Sequence, residues 1–353
     1  MGARFAVAAR VRTLRSPRAH AAILAAAGLL LAHTATATPM SMLQPAADQA
    51  GEILHIWDLM LWVCGFFYVL VLGFVGWMIV RALRRRGQSL APVLKPPSDR
   101  PLGVTLAVWA AMITLGLFVL AIGSFLVDRQ LLQGKPDLTV RVTGNQWWWQ
   151  VEYEPDDPAK RMVTANELHL PLGKTVLVEL ASRDVIHSLW IPNLNGKTDL
   201  IPGRTNHLRL TPRQAGVFRG GCAEFCGLQH AKMALDVTVE PPDRFAAWWR
   251  HQMTSAAAPA TALATKGEQV FMTSACVLCH TVRGIGAGSN NGPDLTHLAS
   301  RRSLAAGALP MNRGALAAWL ADPQQQKPGT NMPFIGLEPD ALNALVDYLA
   351  GLQ

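Results

Sequence analysis

Two stretches without a charged residue set the first constraint on this chain: Leu59 to Val80, 22 residues, and Leu102 to Val127, 26 residues. At about 1.5 Å per residue, each rises far enough as a helix to cross a hydrocarbon core of about 30 Å. A single apolar run in lipid must satisfy its backbone groups internally, which leaves the α-helix. The two stretches therefore predict a transmembrane hairpin within residues 39–134, with spans at about 59–80 and 102–127. Between them stand Arg81, Arg84, Arg85, Arg86, Lys95 and Arg100 against Asp99. An excess of basic residues in a short loop places it in the cytoplasm, so everything after Val127 lies on the outer side. Ahead of the hairpin, five arginines from Arg4 to Arg18 precede an apolar block, Ala21 to Ala32, that ends in small residues. This reads as a secretory signal peptide over residues 1–38, cleaved near Ala37.

The net charge of +8 invites a nucleic-acid reading, which its distribution excludes. Counted by segment, the excess is +4 over residues 1–50, +3 over 51–134, +1 over 135–250 and 0 over 251–353. It belongs to the targeting and membrane segments, and neither soluble part has a basic face to bind phosphates.

After Lys135-Pro136 the apolar period becomes two. Leu138, Val140 and Val142 alternate with polar or small residues, as do Val176, Val178 and Leu180, then Leu208 and Leu210, then Leu235, Val237 and Val239. Short strands without a helical pattern between them predict an antiparallel Greek-key sandwich or barrel over 135–250. Residues 251–265, rich in alanine and threonine, read as a loosely ordered linker. Helical patterns then return at Lys266 to Thr273, Ala315 to Ala321 and Pro339 to Leu352, giving an all-α domain over 266–353.

The chemistry concentrates between Cys222 and Met233, where Cys222, Cys226, His230 and Met233 fall within twelve residues and His187 offers a second imidazole upstream. Soft sulfur with imidazole points to copper, and two thiolates with two histidines also suit a tetrahedral zinc. Met233 argues against zinc, since a thioether is a weak axial copper ligand. A Cys222–Cys226 disulfide is the third reading. A second cluster, Cys276-Val277-Leu278-Cys279-His280, is the attachment signature of haem c: two thioether cysteines and a proximal histidine. Met332 and Met311 are the candidates for the sixth ligand. Cys64, inside an apolar run, reads as a small buried filler.

The first cluster resembles the binuclear copper (CuA) loop of cytochrome c oxidase subunit II. The resemblance extends through Gln146-Trp147-Trp148-Trp149 and Lys197 to Arg204, and implies a cupredoxin fold. It implies that Cys222 and Cys226 bridge two copper ions, that His187 and His230 each bind one, and that Met233 and the Glu224 carbonyl complete the set. It further implies that Trp147 admits electrons to copper, and that Asp199 and the Glu224 carboxylate bind magnesium at the contact with subunit I. Gly329-Thr330-Asn331-Met332-Pro333 resembles the methionine loop of class I cytochromes c, which favours Met332. Asn291 to Leu295 resembles the loop whose proline carbonyl, here that of Pro293, holds the proximal histidine.

These resemblances together imply an oxidase subunit II with a fused cytochrome c: the electron-input subunit of a proton-translocating haem-copper oxidase, with oxygen reduced in subunit I. The implied partners are subunits I and III, and a soluble or membrane cytochrome c or a bc1 complex as donor. The implied location is a bacterial inner membrane, crossed twice, with both metal-bearing domains periplasmic. A copper-containing nitric oxide reductase subunit and a copper chaperone are the rival readings, the latter opposed by the all-strand pattern of 135–240. One departure stands out: family members commonly carry a glutamate at the start of the second span, and here Pro101-Leu102-Gly103-Val104 has no carboxylate. The topology has a direct test. A cysteine introduced within residues 86–98 is expected to resist an impermeant thiol reagent in intact cells; labelling there would invert the assignment.

Overall fold

The computed structural model describes residues 40–85, 99–131, 134–154, 156–286 and 288–353. The signal peptide expected at 1–38 and most of the basic loop fall outside the described residues.

Two helices, α1 (Asp48–Arg84) and α2 (Arg100–Leu131), are long and apolar enough to cross a membrane. Both run past the uncharged stretches, since polar flanks can continue a helix once it reaches water. They approach at glycines. A methyl group on Gly116 would lie 2.8 Å from the Phe67 ring, and one on Gly123 2.8 Å from Leu59. Small residues at such contacts let helix backbones pack closely where lipid supplies no hydrophobic drive between them. The outward faces carry exposed Trp62, Phe66 and Phe118, as lipid-facing surfaces do. The first turn of α1 is rooted in the strand domain. Arg213 donates twice to the Asp48 carboxylate, at 2.7 Å each, and the Gln49 amide exchanges hydrogen bonds with Thr211.

The strand domain is a two-sheet sandwich. One sheet contains β1 (Leu138–Asn145), β2 (Trp148–Tyr153), β3 (Met162–Ala165), β5 (Val176–Ser182) and β8 (Asn206–Leu210), in the order β3-β2-β1-β5-β8. The other contains β4 (Glu167–Pro171), β6 (His187–Trp190), β7 (Thr198–Leu200), β9 (Gly216–Cys222) and β10 (Ala234–Glu240), in the order β4-β10-β9-β6-β7. Alternation in the sequence correctly gives the inward residues: Val140, Val142, Val178, Leu180, Leu210 and Val237 are completely buried. Each such side chain contributes about 1.5–3 kcal/mol by leaving water. Strand direction is not carried by alternation. One pair in each sheet, β1 with β5 and β4 with β10, is parallel where antiparallel pairing was expected, because long crossovers bring these strands together. A helix absent from the sequence reading, α3 (Pro242–Gln252), closes the domain by laying Phe245, Trp248 and Trp249 against Tyr153.

The C-terminal domain is helical: α4 (Ala262–Thr273), α5 (Arg313–Ala321), the single turn α6 (Pro323–Gln326) and α7 (Pro339–Ala350), with a two-strand ribbon of β11 (Ser303–Leu304) and β12 (Leu309–Pro310). Thr261, Asn312 and Asp322 cap the first three helices through their side-chain oxygens. Each such cap satisfies an amide that a helix start leaves open. α4 crosses α7 at Gly267, where a Cβ would fall 2.0 Å from the Ala344 carbonyl oxygen. The connection between α3 and α4 is short and held, not loose: Ala256 N–H donates to Arg283 O at 2.9 Å, the Arg283 guanidinium to Gln252 O, and the His297 ring meets Thr254 O at 3.2 Å.

His169 on β4 ties α3 down. Its ring stacks on Trp248 at 4.1 Å between centroids and lies between Glu240 at 2.7 Å and Glu167 at 3.5 Å. Burial opposes the charged ring, but the two carboxylates outweigh it and lift its pKa to about 9. A pKa raised on folding gives stability that is complete below the unfolded value of about 6.5 and lost as pH rises through about 9. Denaturant unfolding of the full chain, followed by tryptophan fluorescence, is expected to show a contribution of up to about 3 kcal/mol disappearing over that window. His169→Gln should remove that part of the slope.

Candidate metal and haem sites

The loops at one end of the sandwich assemble the sulfur and imidazole groups. His187 opens β6, Cys222 closes β9, and the turn between β9 and β10 delivers Cys226, His230 and Met233. Cys222 Sγ lies 3.7 Å from Cys226 Sγ, 3.8 Å from His187 Nδ1 and 3.2 Å from the Glu224 carbonyl oxygen. Cys226 Sγ lies 3.6 Å from His230 Nδ1 and 3.9 Å from Met233 Sδ. All six residues of the expected copper set therefore converge, the two thiols at the centre and an imidazole beside each. The thiols are not joined as a disulfide. Cys226 hydrogen-bonds to Cys222 and, with His187, pulls the Cys222 pKa down to about 3, while the same pairing and burial push Cys226 up. The donor set suits a soft metal that accepts thiolate, imidazole and thioether together.

His187 is completely buried, and both ring nitrogens are engaged. Nδ1 faces Cys222, and Nε2 meets the Asp184 carboxylate at 2.8 Å. A carboxylate on the far nitrogen fixes the tautomer and orientation of a metal-binding histidine. Asp184 also accepts a hydrogen bond from the Gln146 backbone N–H at 2.6 Å. Asp184 belongs to no ligand motif, and its position three residues before His187 is the one signal of it in the sequence. Behind the ring, a Cβ on Gly144 would come 2.7 Å from His187 Cδ2, so only glycine leaves the ring its place. The expected magnesium pair is less developed: Asp199 is in β7, and the Glu224 carboxylate lies 3.5 Å from the Lys197 ammonium.

Trp147 is buried and its indole N–H donates to the Cys226 carbonyl at 2.9 Å, beside the Gln146 amide at 2.7 Å on the same oxygen. It also lines a cavity of about 300 Å³ in which Cys276, Cys279, His280 and Met332 are wall residues. Leu316, Leu345 and Leu349 make much of that wall apolar. His280 Nδ1 lies 2.8 Å from the Pro293 carbonyl and burial lowers its pKa, which leaves Nε2 as the nitrogen available to a metal. A Cβ on Gly292 would lie 2.8 Å from His280 Cε1, so this loop also needs glycine. Met311 packs against the helical core without lining the cavity, which leaves Met332 as the methionine on its wall. An apolar cavity with two thiols, a neutral histidine and a thioether on its wall fits a covalently held haem.

Comparison with known proteins gives two family matches. Residues 138–240 match the periplasmic domain of cytochrome c oxidase subunit II, and residues 264–353 match cytochrome c. Cytochrome c oxidase subunit 2 of Alkalihalophilus pseudofirmus is 32% identical over 322 residues, covering 89% of this chain and 91% of that one. The Bacillus subtilis protein of the same name is 30% identical, covering 89% and 92%. Among solved structures, the periplasmic domain of the Bradyrhizobium japonicum oxidase subunit II is 30% identical with a TM-score of 0.32, covering 34% of this chain and 95% of that domain.

The carboxylate behind His187 can be tested alone. Asp184→Asn in the full chain is expected to weaken copper binding by about 10–100-fold, read by chelator competition. Unchanged affinity would mean that packing against Gly144 orients the ring unaided.

Proposed function

The chain belongs to the cytochrome c oxidase subunit II family, and from that membership and its C-terminal cytochrome c domain we propose the following path. Electrons from a haem-protein donor enter haem c, pass to a binuclear copper centre, and leave for the haems of subunit I, where oxygen is reduced. The observation that carries the reading is the convergence of His187, Cys222, Glu224 O, Cys226, His230 and Met233 next to Trp147, which also lines the cavity with Cys276, Cys279, His280 and Met332. Copper supplies a one-electron couple shared over two ions, and haem c supplies a second.

The residues have separate tasks. Cys222 and Cys226 would hold the copper through sulfur, with His187 and His230 as the imidazole donors and Met233 and the Glu224 carbonyl as the weaker ones. Cys276 and Cys279 would hold haem as thioethers, and His280 and Met332 would supply its imidazole and thioether ligands. Met and His axial ligation raises a haem potential, which suits a donor to copper. Trp147, which lines the cavity wall and bonds to the Cys226 carbonyl, would admit electrons to the copper. Asp199 and Glu224 hold magnesium at the face toward subunit I.

The protein is membrane-anchored with a periplasmic domain. We place it in a bacterial inner membrane with subunits I and III, accepting electrons from a cytochrome c or a bc1 complex. α2 opens Arg100-Pro101-Leu102 with no carboxylate in its first turn, and Asp99 just ahead of it is the nearest one, so we assign this chain no proton-entry role. The test is composition and spectrum: the purified complex should contain, in this chain, two coppers and one covalent haem. Cys222→Ser should abolish the mixed-valence copper signal in electron paramagnetic resonance while leaving the haem spectrum intact. One zinc and no copper at this site would overturn the reading.

A further inference from the structure

A buried lysine stands where the strand and helical domains meet. Lys327 is 2% exposed and lies on the segment between α6 and Met332. Its ammonium donates to the Trp147 carbonyl at 2.7 Å and to the Ala305 carbonyl at 2.9 Å. Lysine is rarely buried so completely, and when it is, a carboxylate usually faces it. Here two backbone carbonyls do so, and among the described residues no carboxylate pairs with it. Burial accordingly pushes its pKa down to about 7. A charged group kept in so costly a place, and aimed at one peptide of the other domain, calls for a reason.

The surroundings supply one. Gln229 donates to Pro328 O at 2.6 Å, Lys232 to Gln326 O at 3.2 Å, and Asn331 to Gln146 O at 3.0 Å. A Cβ on Gly329, whose φ is +82°, would lie 2.8 Å from Leu228 Cδ2. At the far side of the same seam, Ala234 N–H donates to Ala306 O at 2.9 Å. The segment leading into Met332 is therefore fastened to the turn carrying Cys226 and His230, with Lys327 at its buried centre.

We propose that Lys327 is a positioning residue that pins the Trp147 peptide to the methionine-bearing segment, so that the two domains form one fixed junction for electron transfer. This rests on the relay between haem and copper proposed above. In that step one electron leaves the ferrous haem iron, which becomes ferric, and reduces the copper pair; no covalent bond forms or breaks. The Trp147 indole is held by Cys226 and its carbonyl by Lys327, so one residue is fixed from both domains.

The test is Lys327→Met in the intact complex, which keeps the apolar stem and removes the donor. Copper reduction after flash reduction of haem c is expected to slow severalfold, with both optical spectra unchanged, since electron tunnelling decays exponentially with the separation that the pinned peptide sets. In metal-free full chain, hydrogen exchange over residues 144–149 is expected to rise, a readout independent of turnover. Transfer within twofold of wild type, or unchanged exchange, would overturn the proposal. If the variant does not accumulate, the double variant Gln229→Ala with Asn331→Ala opens the same seam from its surface and is held to the same two outcomes. Wild-type transfer that depends on protein concentration would instead sink the relay itself, and this inference with it. Wild-type transfer that is intramolecular but indifferent to Lys327 sinks only the latter.

Discussion

The Cys226 carbonyl is the acceptor on which the organisation of the site depends. It takes hydrogen bonds from the Gln146 amide and the Trp147 indole, tying the β1–β2 turn to the loop that carries most of the sulfur and imidazole groups. Without that oxygen the loop between β9 and β10 would lose both of these ties to the other sheet. With it, a loop from one sheet is braced on a turn of the other. The same turn is fixed again by Asp184, which accepts the Gln146 N–H while holding His187. A metal site needs its donors fixed before the metal arrives, and here the bracing comes from a backbone carbonyl, an amide, an indole and a carboxylate, none of which changes oxidation state.

Much of the site was legible because its chemistry is local. Cys222 to Met233 and Cys276 to His280 each bring most of their donors within a dozen residues, while the full copper set and the choice of Met332 came from the resemblance. The inward faces of the strands were legible for the same reason, a period of two imposed by the pleat. Parallel pairing of β1 with β5 was not, since it depends on where a long crossover returns the chain. Nor was α3, whose Phe245, Trp248 and Trp249 carry no strong helical pattern until Tyr153 gives them a surface.

Lys327 was beyond reach for a more basic reason. A lysine in a polar segment is expected to point at water, and only the arrival of the second domain turns it inward. The segment 251–265 misled in the complementary way. Alanine and threonine resemble a flexible tether in composition, yet Ala256, Thr254 and Thr261 are each engaged in hydrogen bonds with the helical domain. Composition measures what a segment can do alone, and these residues are not alone.

That difference changes how a fused electron carrier is to be understood. A tether raises local concentration, so transfer between its ends waits for productive encounters and is set by linker length. A docked domain removes the search and makes distance and contact the determinants. The seam argues for docking on steric grounds independent of any hydrogen bond. Gly329 against Leu228, and Gly307 against Ala234, are approaches in which even one added carbon would fall within 2.8 Å of the other domain. Both glycines also hold positive φ, at +82° and +75°, a conformation that other residues rarely adopt. A surface that tolerates many relative orientations has no need of such close fits. Two of them, placed on either side of Lys327, define one orientation, and that orientation sets Trp147 against the wall of the haem cavity.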